Sequence, residues 1–306
     1  MRVVFFGTPE FAAPSLRALL EEGFDVVGVV TQPDRPRGRS RSRLVPPPVK
    51  QVALEEGLTV LQPEKPVGAF AGELEALQPD IGVVVAYGHV LKPELLAIPP
   101  LGMINVHASL LPKLRGAAPI PWAILNGEET TGVSIMQMEA GLDSGPVLHQ
   151  IVTELAADET AAELTERLAE VGAAALVEVL TLLEAGEIRP VPQDHTRATY
   201  APKVTRTLSH LDWGSDGAAL ARAVRAFDPE PGAWATLEGQ EVKFFGGGTS
   251  NSSGEPGTVL AAGETLVVAA AVGALEVVEV QPAGKRRMPV IEWARGRGVA
   301  AGQRFS

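Results

Sequence analysis

Two polar residues at the end of an apolar run are the first that are equipped for chemistry. In Ile104-Asn105-Val106-His107, residues two apart on a strand project to one face, so an amide donor and an imidazole enter a common space. A carboxylate follows in Gly141-Leu142-Asp143-Ser144-Gly145, where the glycines let the backbone turn sharply and carry Asp143 forward. An amide, an imidazole and a carboxylate on converging loops can stabilise an oxyanion and move a proton. Each residue alone also has a plain structural reading, as a hydrogen-bonded histidine at a strand end or an Asx turn. The residues by themselves leave those alternatives open. Cysteine is absent, which excludes thiol nucleophiles, disulfides, Cys-ligated zinc and iron–sulfur clusters. His89, His149, His195 and His210 are scattered and read as surface or packing residues, and no spacing suggests a metal site.

Short strands must present these groups. Val3–Phe6, Val26–Val30, Thr59–Leu61, Ile81–Val85, Met103–His107 and Val133–Met138 read as strands, with helical patterns at Ala13–Glu22, Val49–Glu56 and Val67–Leu77 between them. Continuous Val/Ile runs suit strands buried on both faces, so the first part is expected to be an α/β domain with a doubly wound, mostly parallel, Rossmann-like sheet. Such sheets bind ligands beyond their carboxyl ends, here after Phe6, Val85, Val106 and Met138. Gly7-Thr8-Pro9 stands where a phosphate loop would, but it offers one glycine and a proline without an N–H, so a strand-to-helix turn is the better reading. A long amphipathic segment from Thr160 to Glu184, capped by Asp158 or Thr160, closes the domain at residue 186. Residues 187–207 hold three prolines and read as a linker. Residues 208–306 show one short helix, Ala218–Ala226, and five short strands, which suggest a smaller OB-like β-barrel. Gly246–Gly254 reads as a flexible hairpin tip.

Charge is distributed unevenly over the 306 residues. The total, 26 Lys and Arg against 37 Asp and Glu, gives −11 and by itself argues against nucleic acid. Two stretches run the other way. Arg35, Arg37, Arg39, Arg41, Arg43 and Lys50 face one acid, Asp34, between Thr31 and Lys50, and Lys285, Arg286, Arg287, Arg295, Arg297 and Arg304 face Glu292 alone in 283–306. The N-terminal apolar run is too short for a signal peptide, and Leu266–Leu275 is too short to span a bilayer, so a soluble, cytoplasmic protein is expected.

Asn105-Val-His107, Ser109-Leu-Leu-Pro112, Arg115-Gly-Ala-Ala-Pro119 and Gly141-Leu-Asp143-Ser-Gly145 together resemble the signature of the folate-dependent formyltransferase family. Phe6-Gly7-Thr8-Pro9, Thr31-Gln-Pro33-Asp34-Arg35-Pro36, Val84-Val85-Ala86-Tyr87-Gly88 and Gln281-Pro282-Ala283-Gly284-Lys285 narrow the resemblance, over essentially the whole chain, to the bacterial branch that acts on methionyl-initiator tRNA. The resemblance implies Asn105, His107 and Asp143 as catalytic residues, with 10-formyltetrahydrofolate as formyl-donor co-substrate and no metal. It implies Ser109, Leu110, Leu111 and Pro112, with Val85, Ala86 and Tyr87, as the folate site. By the same resemblance Arg35, Arg37, Arg39, Arg41 and Arg43 form a loop entering the tRNA acceptor end, Arg39 being the best match to its key arginine. Lys285, Arg286 and Arg287 then dock the acceptor arm, and a monomer is expected. The alternatives are a formyltransferase acting on an amino sugar nucleotide, which should lack the arginine loop, and a non-catalytic nucleic-acid-binding relative. His89 and Ser40-Arg41-Ser42-Arg43 depart from the usual pattern in loop detail only.

Overall fold

The β-branched runs of the first half become a seven-stranded sheet. In the computed structural model, which describes residues 1–37 and 43–306, the elements run β1 (Arg2–Gly7), α1 (Ala13–Glu21), β2 (Asp25–Val30), β3 (Arg35–Arg37), β4 (Arg43–Val45), α2 (Pro48–Glu55), β5 (Val60–Leu61), α3 (Phe70–Ala76) and β6 (Ile81–Val85). They continue with α4 (Pro93–Leu96), β7 (Met103–His107), α5 (Pro119–Leu125), β8 (Thr130–Gln137), β9 (Val147–Glu154) and α6 (Ala161–Ala185). The sheet order is β5-β2-β1-β6-β7-β8-β9. The strands from β5 to β7 pair in parallel, whereas β8 and β9 are antiparallel. The winding reverses between β1 and β6, which puts the switch point at their carboxyl ends, one strand away from β7.

Proline occupies the first position of α2, α4 and α5, where its fixed φ suits a helix start and its missing N–H costs nothing. Thr160, rather than Asp158, opens α6. Its hydroxyl accepts from the Glu163 N–H at 3.3 Å while the Glu163 carboxylate accepts from the Thr160 N–H at 2.9 Å, a reciprocal capping box. Val4, Phe6, Val30, Val84 and Tyr87 build a buried core with Phe70, Leu74, Leu91, Leu95 and Met103. Val106 points the other way, onto α6 at Gly172, where an added Cβ would lie 2.9 Å from Val106 Cγ1.

The chain divides into two compact units, one of residues 1–116, 130–154 and 165–200, the other of 117–129, 155–164 and 201–306. The second contains α7 (Gly217–Ala226), β10 (Ala233–Leu237), β11 (Gln240–Ser250), β12 (Val259–Ala262), β13 (Leu266–Ala269), β14 (Ala274–Pro282), β15 (Met288–Pro289) and α8 (Val290–Arg295). Its strands pair antiparallel in the order β10-β11-β14-β13-β12, with β15 on β14. Phe305 bridges to Leu237 of β10 and Arg304 to Thr258 beside β12, so residues 304–305 join the two edges and give an OB-like β domain.

The glycine stretch differs from its expectation. Gly246–Ser250 belongs to β11 and pairs with β14, and Gly247 lies under α7, where a Cβ would approach Val224 Cβ to 2.7 Å. Close helix-on-strand packing, and not a free hairpin tip, explains the small residue. Among the described residues no helix is long and apolar enough to cross a membrane.

Candidate active site

Asn105 at the middle of β7 and His107 at its carboxyl end share a face. Asn105 is half-buried, and among the described residues its side chain makes no hydrogen bond, which leaves an amide donor uncommitted. His107 is buried. Its Nε2 lies 3.0 Å from the Leu114 carbonyl, which can only accept, so Nε2 carries a proton and Nδ1 is the basic nitrogen. Nδ1 stands 3.8 Å from Asp143 Oδ2, too far for a hydrogen bond and close enough for strong electrostatic coupling. Burial pushes the His107 imidazole below its ordinary value, against the opposing pull of Asp143 and Leu114. The ring is therefore neutral at pH 7, and its orientation is set by Leu114 rather than by Asp143.

Asp143 reaches this position by an indirect route. Because β8 is antiparallel, Gln137 pairs with Ile104 and the Met138 N–H donates to the Met103 carbonyl, at the opposite end of β7 from His107. The expectation that a carboxyl end after Met138 delivers Asp143 therefore fails on strand direction. The loop doubles back instead, and the Gly116 N–H donates to Asp143 Oδ2 at 2.8 Å. Asp143 adopts φ +46°, a left-handed conformation that Asp tolerates better than most residues.

The Ser109–Pro112 segment is built around a hydroxyl that sequence reading passed over. Ser134 of β8 is fully buried; its Oγ donates to the Ser109 carbonyl at 2.6 Å and accepts from the Leu111 N–H at 3.0 Å and Gln150 Nε2 at 2.8 Å. Ser109 Oγ donates to the Lys113 carbonyl at 2.6 Å. Ser109 and Leu111 are buried, and Leu110 and Pro112 are half-buried. A lone serine inside the apolar Val133-Ser-Ile-Met run was the available signal. Of Val85, Ala86 and Tyr87, only Ala86 is exposed, at φ +46°. The Val85 and Tyr87 side chains lie in the core, burial raises the Tyr87 phenol to about 12, and the Tyr87 carbonyl already accepts from Thr8 Oγ1 and Gln32 Nε2. What this segment exposes to a ligand is thus Ala86.

The segment expected to link two domains also enters the site. Gln193 Nε2 donates to the carbonyls of Asp143 and Gly145, and its Oε1 accepts from the buried Arg115 guanidinium. Arg115 Nη2 donates as well to Nδ1 of the exposed His195 at 3.0 Å, so this surface histidine also packs against the site. No local pattern in 187–207 announces these contacts, which span about 80 residues.

The first basic stretch is more regular than its Pro and Gly content suggests. β3 and β4 pair as an antiparallel hairpin, with Arg35 opposite Val45 and Arg37 opposite Arg43. Arg35 is exposed and donates to Gln32 Oε1, while Arg39 and Arg41 lie outside the described residues. At the base, Lys50 Nζ bonds both Asp34 oxygens at 2.8 and 2.9 Å, and Gln62 and Lys50 together hold the Asp34 carboxyl below its usual range. In the second stretch Lys285 and Arg286 are exposed, Arg286 pairing with Glu292 at 2.9 Å. Arg287 is engaged internally: it pairs with Asp228 at 2.9 Å and Glu279 at 2.7 Å and sits 4.0 Å over the Phe245 ring. Its charge is consumed by Glu279, eight residues away, and Asp228, 59 residues away, so this patch is weaker in space than along the chain. Among the described residues, no group of three His, Asp or Glu side chains could hold a metal ion.

Residues 1–180 match the family model described as formyl transferase, and residues 203–298 match that of the formyl transferase C-terminal domain. A curated relative from Citrifermentans bemidjiense, named methionyl-tRNA formyltransferase, is 45% identical over 304 residues, covering 99% of this chain and 95% of its own. Its namesake from Methylococcus capsulatus is 46% identical over 303 residues, covering 98% of each chain. Among solved structures, HypX from Aquifex aeolicus in complex with tetrahydrofolic acid superposes with a TM-score of 0.65 at 22% identity, over 97% of this chain and 47% of HypX.

Proposed function

The chain belongs to the formyl transferase family, and from that premise we infer that it transfers the formyl group of 10-formyltetrahydrofolate to the α-amino group of methionyl-initiator tRNA. Relatives named for methionyl-tRNA, about 45% identical over nearly the whole chain, favour this acceptor over an amino sugar nucleotide. The observation that carries the site assignment is the uncommitted Asn105 amide beside a neutral, buried His107 whose basic nitrogen faces Asp143.

The folate donor supplies an activated formyl group, and the substrate supplies the nucleophile. An α-amino group has a pKa of about 7.7–8.0, so a useful fraction is already neutral at pH 7 and no enzyme nucleophile is required. Asn105 donates to the formyl oxygen as charge develops there, a contact worth roughly 3–4 kcal/mol in a dry site. His107 Nδ1 accepts the proton that the amine loses on attack, and Asp143 stabilises the resulting imidazolium. The same nitrogen then returns the proton to the folate nitrogen as the carbon–nitrogen bond to it breaks.

Ser109–Pro112, pinned by Ser134, together with the exposed Ala86, holds the folate. Arg35, Arg37, Arg39, Arg41 and Arg43 meet the tRNA acceptor end, with Lys285 and Arg286 giving further phosphate contacts. Arg287 contributes by bracing that loop. In this reading residues 1–186 are the catalytic domain, 187–207 its connection and 208–306 a docking domain, in a monomeric cytoplasmic enzyme. The test is transfer of labelled formyl from 10-formyltetrahydrofolate to charged initiator and elongator methionyl-tRNA. Formylation confined to the initiator is expected; formylation of neither species would refute the function.

A further inference from the structure

Residues 193–199 grip both members of the proposed acid–base pair. On the His107 side, Thr199 Oγ1 accepts from the Leu114 N–H and the Thr199 carbonyl from the Arg115 N–H, both at 2.9 Å. Those bonds fix Leu114, at φ +56°, whose carbonyl orients the His107 ring. On the Asp143 side, Gln193 Nε2 donates to the Asp143 carbonyl at 2.9 Å and the Gly145 carbonyl at 2.7 Å. Gln193 is itself held, since its Oε1 accepts from Arg115 Nη2 at 2.7 Å and Nε at 3.1 Å, and both residues are less than one-tenth exposed.

The Asp143 loop needs such a hold. It leaves the sheet beside the amino end of β7 and must double back to reach His107, with Asp143 itself in the left-handed region at φ +46°. We propose that Gln193 is a positioning residue for formyl transfer: it fixes the Asp143 loop so that the carboxylate stands at the basic nitrogen of His107. The proposal rests on the roles given above to His107 and Asp143. A rival account makes Gln193 a filler that satisfies the buried Arg115.

Gln193→Glu separates the two accounts. The glutamate keeps an acceptor for Arg115, now as a carboxylate, but turns an oxygen toward two carbonyls that require a donor. Formyl transfer is measured in single turnover and at steady state over pH 5–9, alongside the melting temperature. The expected result is a folded protein whose KM values for folate and tRNA are little changed while its transfer rate falls about 10–100-fold, because a displacement near 1 Å costs on the order of 100-fold. Asp143→Asn combined with Gln193→Glu should be no slower than Asp143→Asn alone, because both act through one loop. A transfer rate for Gln193→Glu within about threefold of the parent overturns the proposal, as does a full multiplicative loss in the double variant. A Gln193→Glu chain that fails to fold also overturns it, in favour of the filler account. An Asp143→Asn variant that retains parental activity instead removes the assignment of Asp143 on which the proposal stands.

Discussion

Replacing Ser134 with alanine strips the folate segment of its pin, and the cost follows from the hydrogen bonds lost. The hydroxyl is fully buried and serves three groups: the Ser109 carbonyl, the Leu111 N–H and the Gln150 amide. Gln150 keeps its bond to the Leu111 carbonyl at 2.9 Å, so the substitution strands two backbone groups. Each stranded buried group costs about 1–3 kcal/mol, which sets an expected loss near 3 kcal/mol after partial relaxation. For a unit of this size that corresponds to roughly 6–12 °C in melting temperature. The segment would also relax away from its binding shape, so KM for 10-formyltetrahydrofolate should rise about tenfold, equivalent to 1.4 kcal/mol, with a smaller change in kcat. Thermal unfolding and steady-state kinetics on Ser134→Ala check both numbers. A loss under about 1 kcal/mol with an unchanged folate KM would show that Ser109–Pro112 holds its shape without Ser134, and the reasoning would fail.

Other outcomes follow from the same geometry. Burial depresses the His107 pKa, so the acid limb of kcat/KM should fall below the ordinary histidine range; Asp143→Asn removes the opposing pull and moves that limb lower still, and an upward move in the pH–rate profile would contradict the assignment. Arg287→Ala leaves Asp228, only 9% exposed, without its partner; after discounting for solvent at the half-exposed arginine it should cost about 1–3 kcal/mol in a denaturant titration, and loss of the brace on the Lys285–Arg286 loop should raise tRNA KM. Gly247→Val should destabilise the second unit by about 1–3 kcal/mol through overpacking against α7, measured in the same titration. Neutralising Arg35, Arg39 and Arg41 should raise tRNA KM and flatten its salt dependence, because fewer counterions are released.

The fold was legible wherever burial writes itself into local pattern. Parallel strands covered on both faces appear as continuous runs, as in Val83-Val84-Val85, and β1, β2, β6 and β7 lie where those runs stand. Strand β9 went unseen because polar residues on both of its faces, His149 on one and Gln150 and Glu154 on the other, break the apolar run. The β3–β4 hairpin is composed of Arg and Pro, residues that carry little strand signal. The pairing of Asn105 with His107 needed only the two-residue period of a strand. How Asp143 joins them depended on strand direction, and β8 runs against the direction that a parallel sheet would give. Ser134, Gln193 and Thr199 act through contacts 16 to 85 residues away, beyond the reach of any local pattern. The charge patches show the same limit, since Arg287 spends its charge on Asp228, 59 residues distant.

The central claim is that Asn105, His107 and Asp143 carry out the transfer while the substrate amine supplies the nucleophile. Single-turnover transfer of labelled formyl to methionyl-initiator tRNA, with both substrates saturating, isolates that step from binding. Asn105→Ala and His107→Ala should each lower the rate by roughly 10²–10⁴-fold, and Asp143→Ala by at least tenfold. Losses under about tenfold in all three variants would contradict the account and move the chemistry elsewhere.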